Sequence, residues 1–457
     1  MNRQSLQRCI ETSCGASYAL HERRYACSHC GGLLDIETRP EEDANTLSRL
    51  WRERMSSLQP RDRSGVWRYR ELLPFADDVP IVSLAEGNTP LYDAPASARY
   101  CGVDSLRLKH QGANPTGSFK DTGMTTAVTQ AQQLGAPLVG CASTGNTAAS
   151  LAAYAARARI HCAIIVPEGQ VSHAKLAQAL DYGASVLEIE GNFDDAMRVI
   201  RELAEQESIY LVNSINPFRI EGQKTVAIEL SEQLGWQVPD HLVVPGGNLG
   251  NSSAFGKGFK ELLDLGLIQR LPQITVVQAE GAAPFADLFT RHQQERVNWQ
   301  TPSAIVNVAQ PRTLASAIKI GAPLSWKKAW RAISWTKGSV LTVSEQEIAD
   351  AKAIIGREGI GCEPASATTV AGIKKLVTDG HVRADENVIA ILTGHLLKDT
   401  EYVINYHRGT LSGKDSNDET VRIASNFANQ PIRVKAESDQ IREQFALLID
   451  REVSEYK

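Results

Sequence analysis

Between about residues 80 and 400, short apolar runs alternate with longer stretches whose apolar residues recur at helical spacing. The apolar runs predict strands at 138–142, 160–166, 185–189, 209–212, 241–244, 274–279 and 387–392. The stretches between them predict helices, including one that ends near 159 and others at 174–182 and 194–205. Such alternation is typical of α/β proteins with parallel sheets. Continuous apolar strands are expected when helices cover both faces of a sheet.

The rest of the chain divides into two parts before this main region and one part after it. Residues 1–37 form a separate cysteine-containing module, and 38–80 form a connector that is helical near 47–55 and wraps onto the next domain. Residues 81–400 form the main region, with two α/β subdomains, the smaller at about 115–220. Residues 401–457 form a closing segment with a strand at 431–434 and a helix at 437–448.

Composition and charge exclude several classes of protein. The net charge is −5, so no whole-chain basic field favours nucleic acid or an anionic membrane as a partner. No apolar run is long enough for a membrane-spanning helix. The first residues lack the apolar segment of a secretory signal, so a cytoplasmic protein with a small-molecule substrate is expected.

Four of the eight cysteines lie within the first thirty residues, as two pairs: Cys9 with Cys14, and Cys27 with Cys30. Two thiol pairs joined by a short hairpin are typical of a tetrahedral zinc ribbon. The first pair is wider than the usual two-residue gap, and a ribbon that keeps its shape without metal is the alternative. With four protein ligands, the zinc would be structural rather than catalytic.

Three strand-to-helix turns carry unusual polar chemistry. In the first, Ser143, Thr144, Asn146 and Thr147 crowd the start of a helix, although one helix cap needs only one such side chain. The additional groups and the free helix amides suit a ligand with anionic or phenolic oxygens.

The second turn, Pro-Gly-Gly-Asn-Leu-Gly-Asn at 245–251, is rich in glycine and follows an apolar strand. Such a loop exposes main-chain amides to a phosphate. It matches neither the Walker A pattern nor the dinucleotide pattern G-x-G-x-x-G. In the third turn, Thr393 follows the strand at 387–392 and directs a hydroxyl toward the same edge of the sheet.

A single lysine, Lys120, lies where a helix begins. Ser118 followed by Asp121 resembles a capping box, which predicts a helix from near Phe119 to Gly135. An amine in the first turn lies at the positive end of the helix dipole, and this position lowers its pKa and favours Schiff-base chemistry. Together with the three turns, Lys120 indicates pyridoxal phosphate as the cofactor.

The sequence resembles the threonine synthases among the fold-type II pyridoxal-phosphate enzymes. The motifs that carry the resemblance extend from about Trp67 to the C-terminus: EGNTPL at 86–91, NPTGSFKD at 114–121, STGNT at 143–147, NSINPFRIEGQKT at 213–225, GGNLGN at 246–251, AIKIG at 317–321, CEPASA at 362–367 and LTGH at 392–395. The implied fold has two doubly wound, mostly parallel sheets, with the cofactor in the cleft between them.

The resemblance also implies roles for individual residues. Lys120 holds the cofactor as a Schiff base and transfers protons, Asn146 binds its phenolic oxygen, and Thr393 faces its pyridine nitrogen. The cofactor phosphate is bound by the loop residues Gly246, Gly247, Asn248, Leu249, Gly250 and Asn251. The substrate anions are bound by Ser143, Thr144, Thr147, Asn213, Ser214 and Arg219. Lys319 stands where many relatives have arginine.

The implied reaction is the conversion of O-phospho-L-homoserine and water to L-threonine and phosphate, by a homodimer. Two alternatives exist within the same fold: a cysteate synthase-like replacement on O-phosphoserine, and an amino-acid dehydratase. The polar turn at 143–147 and the segment at 213–219 suggest a phosphorylated substrate, which disfavours the dehydratase. A nucleic-acid-binding ribbon fused to an inactive scaffold is disfavoured by the intact Lys120 and its three turns.

Overall fold

The computed structural model describes residues 5–169, 173–295, 299, 302–414 and 419–455. Residues 1–4 of the predicted module and residues 415–418, 456 and 457 of the predicted closing segment therefore lie outside the described residues. The strands are β1 (Ser5–Cys9), β2 (Ser17–Tyr18), β3 (Leu34–Thr38), β4 (Leu91–Asp93), β5 (Leu106–His110), β6 (Leu138–Ala142), β7 (His161–Pro167), β8 (Ser185–Ile189), β9 (Tyr210–Leu211), β10 (His241–Pro245), β11 (Gln273–Ala279), β12 (Ser339–Val343), β13 (Val388–Leu392), β14 (Ser412–Lys414) and β15 (Thr420–Arg422). None of the described helices is long and apolar enough to cross a membrane.

The helices that connect these strands vary widely in length. They are α1 (Ala44–Met55), α2 (Pro95–Cys101), α3 (Lys120–Gln133), α4 (Asn146–Ala158), α5 (His173–Asp181), α6 (Phe193–Glu205), α7 (Pro217–Gln233), α8 (Gly250–Asp264), α9 (Pro284–Glu295), α10 (Trp326–Thr336), α11 (Glu345–Arg357), α12 (Pro364–Thr378), α13 (Thr400–Arg408) and α14 (Ser438–Glu455).

The larger subdomain is built on a six-stranded sheet in the order β12-β11-β10-β13-β5-β4, parallel except for the pair of β4 with β5. Successive residues of β10 pack on opposite sides: Leu242 and Val244 join one apolar core, and Val243 joins the other. Both faces are therefore covered, which explains why the strand reads as a continuous apolar run.

The smaller subdomain has a four-stranded parallel sheet in the order β8-β7-β6-β9. In β7, Ile164 packs into one core and Ala163 and Ile165 pack into another, so this sheet is also covered on both faces. The α7 helix, almost wholly buried, packs against both α3 and α8. The predicted architecture of two doubly wound, mostly parallel sheets is confirmed.

The N-terminal module is an antiparallel sheet of β2-β1-β3 that contacts both subdomains. On the smaller subdomain, Gln130 donates to Leu20 O and the Leu211 amide donates to Tyr25. On the larger one, Lys328 donates to Leu34 O at 2.6 Å. The module therefore bridges the two subdomains, a relation that the sequence pattern did not indicate.

Most predicted strands and helices agree with the structure to within a residue or two, and one strand does not exist. The predicted strand at 431–434 is wrong, because this segment pairs with no strand among the described residues and leaves Ile432 and Val434 exposed. The helix predicted at 437–448 is present and longer, as α14. In the segment 38–80, α1 packs Leu47 and Trp51 into a core of the larger subdomain.

Candidate active site

A cavity of about 1620 Å³ lies between the two sheets. Its walls include the carboxyl ends of three parallel strands, at Ala142 of β6, Pro245 of β10 and Thr393 after β13. The carboxyl edge of parallel sheets is where α/β proteins bind ligands. All three polar turns singled out in the sequence therefore converge on one cavity, together with Lys120.

Lys120 is the first residue of α3 and lies in the wall of this cavity. Burial and the positive charge of Arg219 lower the pKa of the Lys120 amine to about 7, and the carboxylate of Glu363 only partly opposes them. Near neutral pH a large fraction of this amine is therefore unprotonated and able to act as a base or nucleophile.

The predicted capping box at Ser118 and Asp121 is wrong. The α3 helix has no side-chain cap; instead, Asp121 accepts hydrogen bonds from the Thr116 amide at 2.7 Å, the Thr116 hydroxyl at 2.6 Å and the Ser150 hydroxyl at 2.5 Å. Burial raises the pKa of the Asp121 carboxyl to about 6, against these hydrogen bonds. Asp121 thus ties the loop before Lys120 to α3 and α4.

The glycine-rich turn provides main-chain donors at the start of α8. The amides of Gly247, Asn248, Leu249 and Gly250 have no acceptor among the described residues, and Leu249 takes a left-handed φ of 64°. The Gly246 amide is engaged with Val277 O at 2.7 Å, so the free donors are the four that follow it. Consecutive free amides at a helix N-terminus suit a phosphate.

A polar network lines the wall of the cavity beside Lys120. Asn146 Nδ2 donates to Glu363 Oε2 at 2.9 Å, and the Thr393 hydroxyl donates to Glu363 Oε1 at 3.2 Å. The hydroxyls of Thr393 and Ser366 also lie 3.0 Å apart. Burial raises the pKa of the Glu363 carboxyl, while the hydrogen bond from Asn146 acts in the other direction.

The predicted substrate residues also meet at this cavity, with different engagements. Ser143, Thr144 and Thr147 line it at the start of α4. Arg219 is buried, its Nη1 donates to Val212 O at 3.2 Å, and its Nε has no partner among the described residues.

Asn213 and Ser214 reach the cavity from the loop after β9. The Asn213 amide is paired with the main chain of Ala142, accepting at 3.1 Å and donating at 3.0 Å, which positions the turn that follows β6. Ser214 accepts from Asn248 Nδ2 at 2.7 Å, a contact between the smaller subdomain and the glycine-rich turn.

Among the residues that line the cavity without a role in the sequence analysis are Glu363, Lys398 and Gln178. Glu363 stands directly before Pro364, a context that indicates only the start of a helix. Lys398 follows the turn at Thr393 by five residues, and Gln178 lies in the middle of α5. No local pattern marks them, because their partners come from distant parts of the chain.

The four N-terminal cysteines form a second candidate site, away from the cavity. Their sulfurs all lie within 4.8 Å of one another, with Cys9 and Cys30 at 3.4 Å and Cys14 and Cys27 at 3.6 Å. Four thiolates bound to zinc at about 2.3 Å lie roughly 3.8 Å apart in a tetrahedron. The cluster can therefore hold a metal ion.

Comparisons with known proteins agree with this geometry. A family model described as "Pyridoxal-phosphate dependent enzyme" matches residues 82–394. The threonine synthase of Methanocaldococcus jannaschii is 48% identical over 400 residues, covering 87% of this chain and 94% of that protein. The threonine synthase of Methanosarcina acetivorans is 46% identical, covering 87% and 93%.

Solved structures with lower sequence identity share the fold. The fungal L-serine ammonia-lyase from Rhizomucor miehei aligns with a TM-score of 0.61 at 18% identity, over 73% of this chain and all of that one. Threonine deaminase isoform 2 from Solanum lycopersicum aligns with a TM-score of 0.58 at 21% identity, over 80% and 90%.

Proposed function

The chain belongs to the threonine synthase family of pyridoxal-phosphate dependent enzymes, and from this premise we propose that it converts O-phospho-L-homoserine and water to L-threonine and phosphate. One observation carries the assignment of the site. Lys120, with a pKa of about 7, faces the same cavity as four free main-chain amides and the Asn146–Glu363–Thr393 network.

The residues around the cavity fit pyridoxal phosphate. The amides of Gly247 to Gly250 would hold its phosphate, and the start of this turn packs tightly on β11, where a Cβ added to Gly246 would lie 2.6 Å from Val276 Cγ1. Asn251 Oδ1 is buried without a partner in the described chain, beside the same loop. Asn146 and Thr393 would reach the ring substituents. When bound, the cofactor supplies an aldehyde for the amino group and an electron sink for the Cα–H bond.

Lys120 would accept the proton from the substrate Cα and return protons to the carbon chain. A neutral amine is required for the first step, and burial together with Arg219 favours the neutral form. The phosphate leaves from the γ-carbon and water adds at the β-carbon.

The substrate's charged groups would be held by the other wall. Ser143, Thr144 and Thr147 supply hydroxyls and the start of α4 for an anion. Arg219, buried and without a carboxylate partner among the described residues, supplies a positive charge for the phosphate. Asn213 and Ser214 shape this wall through their contacts with Ala142 and Asn248.

Release of phosphate from phosphohomoserine by the cofactor-loaded protein tests this function, with L-threonine identified as the second product. Phosphoserine with sulfite serves as the comparison that a cysteate synthase would turn over, and L-threonine as the substrate that a dehydratase would deaminate. Turnover of either comparison, without turnover of phosphohomoserine, would refute the proposal.

We also propose that the four-cysteine cluster binds structural zinc, since its sulfur spacing suits tetrahedral coordination. A homodimer and a cytoplasmic location are proposed from the family resemblance. The exposed apolar side chains of Phe445 and Leu448 on α14 are consistent with association. Light scattering at several protein concentrations measures the oligomeric state, and a monomer at all of them would refute the dimer.

A further inference from the structure

Lys398 reaches across the cavity from the larger subdomain to the smaller one. It ends the short 3-10 helix Leu396–Lys398 that follows β13, and its Nζ donates to Gln178 Oε1 on α5. Gln178 Nε2 in turn donates to Thr116 O at 3.3 Å. Lys398 and Gln178 both line the cavity, so the ammonium belongs to the site rather than to the outer surface.

The ammonium of Lys398 lies close to the loop that leads to Lys120. A Cβ added to Gly117 would lie 3.0 Å from Lys398 Cε and 3.6 Å from its Nζ. The main chain of this loop is fixed, since the His395 amide donates to Gly117 O at 2.9 Å and the Phe119 amide donates to Thr393 O at 2.9 Å. Lys398 therefore lies against a fixed part of this loop, at Gly117, which is three residues before Lys120 in the chain.

The partner of this ammonium in the structure is a neutral amide oxygen. No carboxylate of the described chain lies within 4.0 Å of its Nζ; Glu363, Asp121 and Asp399 act on it only from longer range. Burial lowers the pKa of Lys398. A largely buried cation without an anionic partner is unfavourable, and an anionic ligand would relieve this cost.

The proposed substrate carries more negative charge than Arg219 alone can balance. A phosphate monoester has a charge of about −1.5 to −2 at pH 7. Lys319 also lines the cavity but is exposed, whereas Lys398 is partly buried. The turn at 143–147 offers neutral hydroxyls and amides, which suit the singly charged carboxylate.

We propose that Lys398 binds the phosphate of the substrate as a second cation in addition to Arg219, with Gln178 holding the ammonium in place before the substrate arrives. This assignment rests on the proposed function, since it concerns the phosphate of phosphohomoserine. Lys398 belongs to one subdomain and Gln178 and Gly117 to the other, so a phosphate bound there contacts both walls of the cavity.

The test compares two substrate analogues that differ only in the anion. One is the phosphonate in which a methylene replaces the bridging oxygen of phosphohomoserine; the other is L-norvaline, which has no phosphonate. Dissociation constants are measured from the change in cofactor absorbance on wild-type protein, K398Q, K398R, Q178A and K374Q. Lys374 lies on α12, outside the cavity lining, and controls for the loss of a lysine.

We expect K398Q to weaken phosphonate binding on the order of tenfold to a hundredfold, because a charge-assisted hydrogen bond is lost, and to leave norvaline binding within about twofold. K398R should restore most of the affinity, and K374Q should resemble wild type. Q178A should weaken the phosphonate less than K398Q does. Thermal unfolding of each variant identifies a protein that is misfolded. If K398Q is misfolded, the phosphonate affinity of K398R relative to wild type tests the proposal instead.

Four results would overturn the proposal. The first is phosphonate binding by K398Q that equals wild type. The second is an equal loss of affinity for both analogues, which would assign Lys398 to the carboxylate. The third is an equal effect of K398Q and Q178A, which would make Lys398 only a structural contact between the subdomains. Wild-type protein that binds the phosphonate no more tightly than norvaline also overturns it. Failure of the proposed function is seen separately, as wild-type protein that binds the phosphonate through Lys398 and yet does not turn over phosphohomoserine.

Discussion

Asn146 Nδ2 donates a hydrogen bond of 2.9 Å to Glu363 Oε2 and joins the two subdomains across the cavity. Asn146 opens α4 on the smaller sheet, and Glu363 directly precedes α12 on the larger one. The contact places a buried carboxyl group between two residues that the family resemblance assigns to the cofactor, Asn146 and Thr393. A buried acid at this place is costly for folding and is therefore a marker of function.

Replacement of Glu363 by glutamine should stabilise the cofactor-free protein. Burial raises the pKa of Glu363 in the folded state above its unfolded value of about 4.3, so the ionised group opposes folding at higher pH. The stability gained by E363Q should be small near pH 4, should grow as pH rises from about 4.3 toward the folded-state pKa, and should level off above that pKa. Thermal unfolding at several pH values measures it, with exposed Glu168→Gln as the control. A gain that is independent of pH would contradict this account.

Removal of the Lys120 amine should abolish turnover. K120A should lower kcat for phosphohomoserine by at least about 10²–10⁴-fold, the range expected when a general acid–base group is lost. K120R should also be inactive, because a guanidinium does not give up its proton in proteins. Phosphate release measures both, and K374Q should retain activity. A K120A protein with more than about a tenth of the wild-type rate would exclude Lys120 as the proton carrier.

The pH dependence of the reaction should reveal the environment of Lys120. Its pKa of about 7 means that kcat/KM should fall as pH drops below about 7, because the protonated amine cannot accept a proton. Arg219 lowers this pKa by its charge, so R219Q should move the acid limb to higher pH. R219K keeps the charge and should leave the limb near its original place. An unmoved limb in R219Q would show that another group controls it.

The same R219Q protein should bind the substrate phosphate more weakly. A charge-assisted hydrogen bond lost at a buried site raises KM on the order of tenfold to a hundredfold. The KM change comes from the planar, two-donor guanidinium of Arg219, and the pH change comes from its charge. R219K keeps the charge but not the guanidinium, so it should restore the acid limb of the pH profile more fully than it restores KM. Equal recovery of both would argue against a bidentate phosphate contact.

Loss of one cysteine from the N-terminal cluster should remove the metal. C27S should lower zinc from about one ion per chain to near zero, because a structural site needs all four ligands. Elemental analysis after dialysis measures it. C101S, which removes a buried cysteine on α2 outside the cluster, should retain the metal. Zinc that is absent from wild-type protein supplied with the metal would refute a metal-binding role.

Docking of the module should depend on Asp35. This buried carboxylate lies 3.0 Å from Lys328 Nζ and also pairs with Arg331, and these cations hold its pKa well below the usual range. D35N leaves the buried Lys328 without its anionic partner and should cost about 3–5 kcal/mol of unfolding free energy. Denaturant unfolding measures it.

The stabilising contribution of Asp35 should change with pH in a defined direction. Because the folded-state pKa of Asp35 is depressed, its contribution is present above the unfolded value of about 3.9 and is lost on acidification. The matched control is Asp93→Asn, whose side chain is largely exposed and should give no measurable change. If both substitutions behave alike, the module does not depend on this ion pair.

Local pattern was sufficient for most of the predicted strands, for an α/β architecture with parallel sheets and for the position of Lys120 at a helix start, whereas the division into two sheets came from the family resemblance. Strand periodicity and helix periodicity are properties of neighbouring residues, so β6 and β8 could be predicted to the residue. The rule that ligands meet the carboxyl ends of parallel strands then predicted that Ser143, Gly247 and Thr393 line one ligand crevice.

Tertiary structure alone decided which side chains meet within that cavity. Asn146 and Glu363 are 217 residues apart in the chain, and Gln178 and Lys398 are 220 apart, so no local spacing could pair them. Asp121 illustrates the same reason in reverse: its spacing from Ser118 favoured a helix cap, but Thr116 and Ser150 offered better donors. A sequence records the period of each element and the chemistry at its ends, whereas a hydrogen-bond partner is chosen by the packing of elements that are distant along the chain.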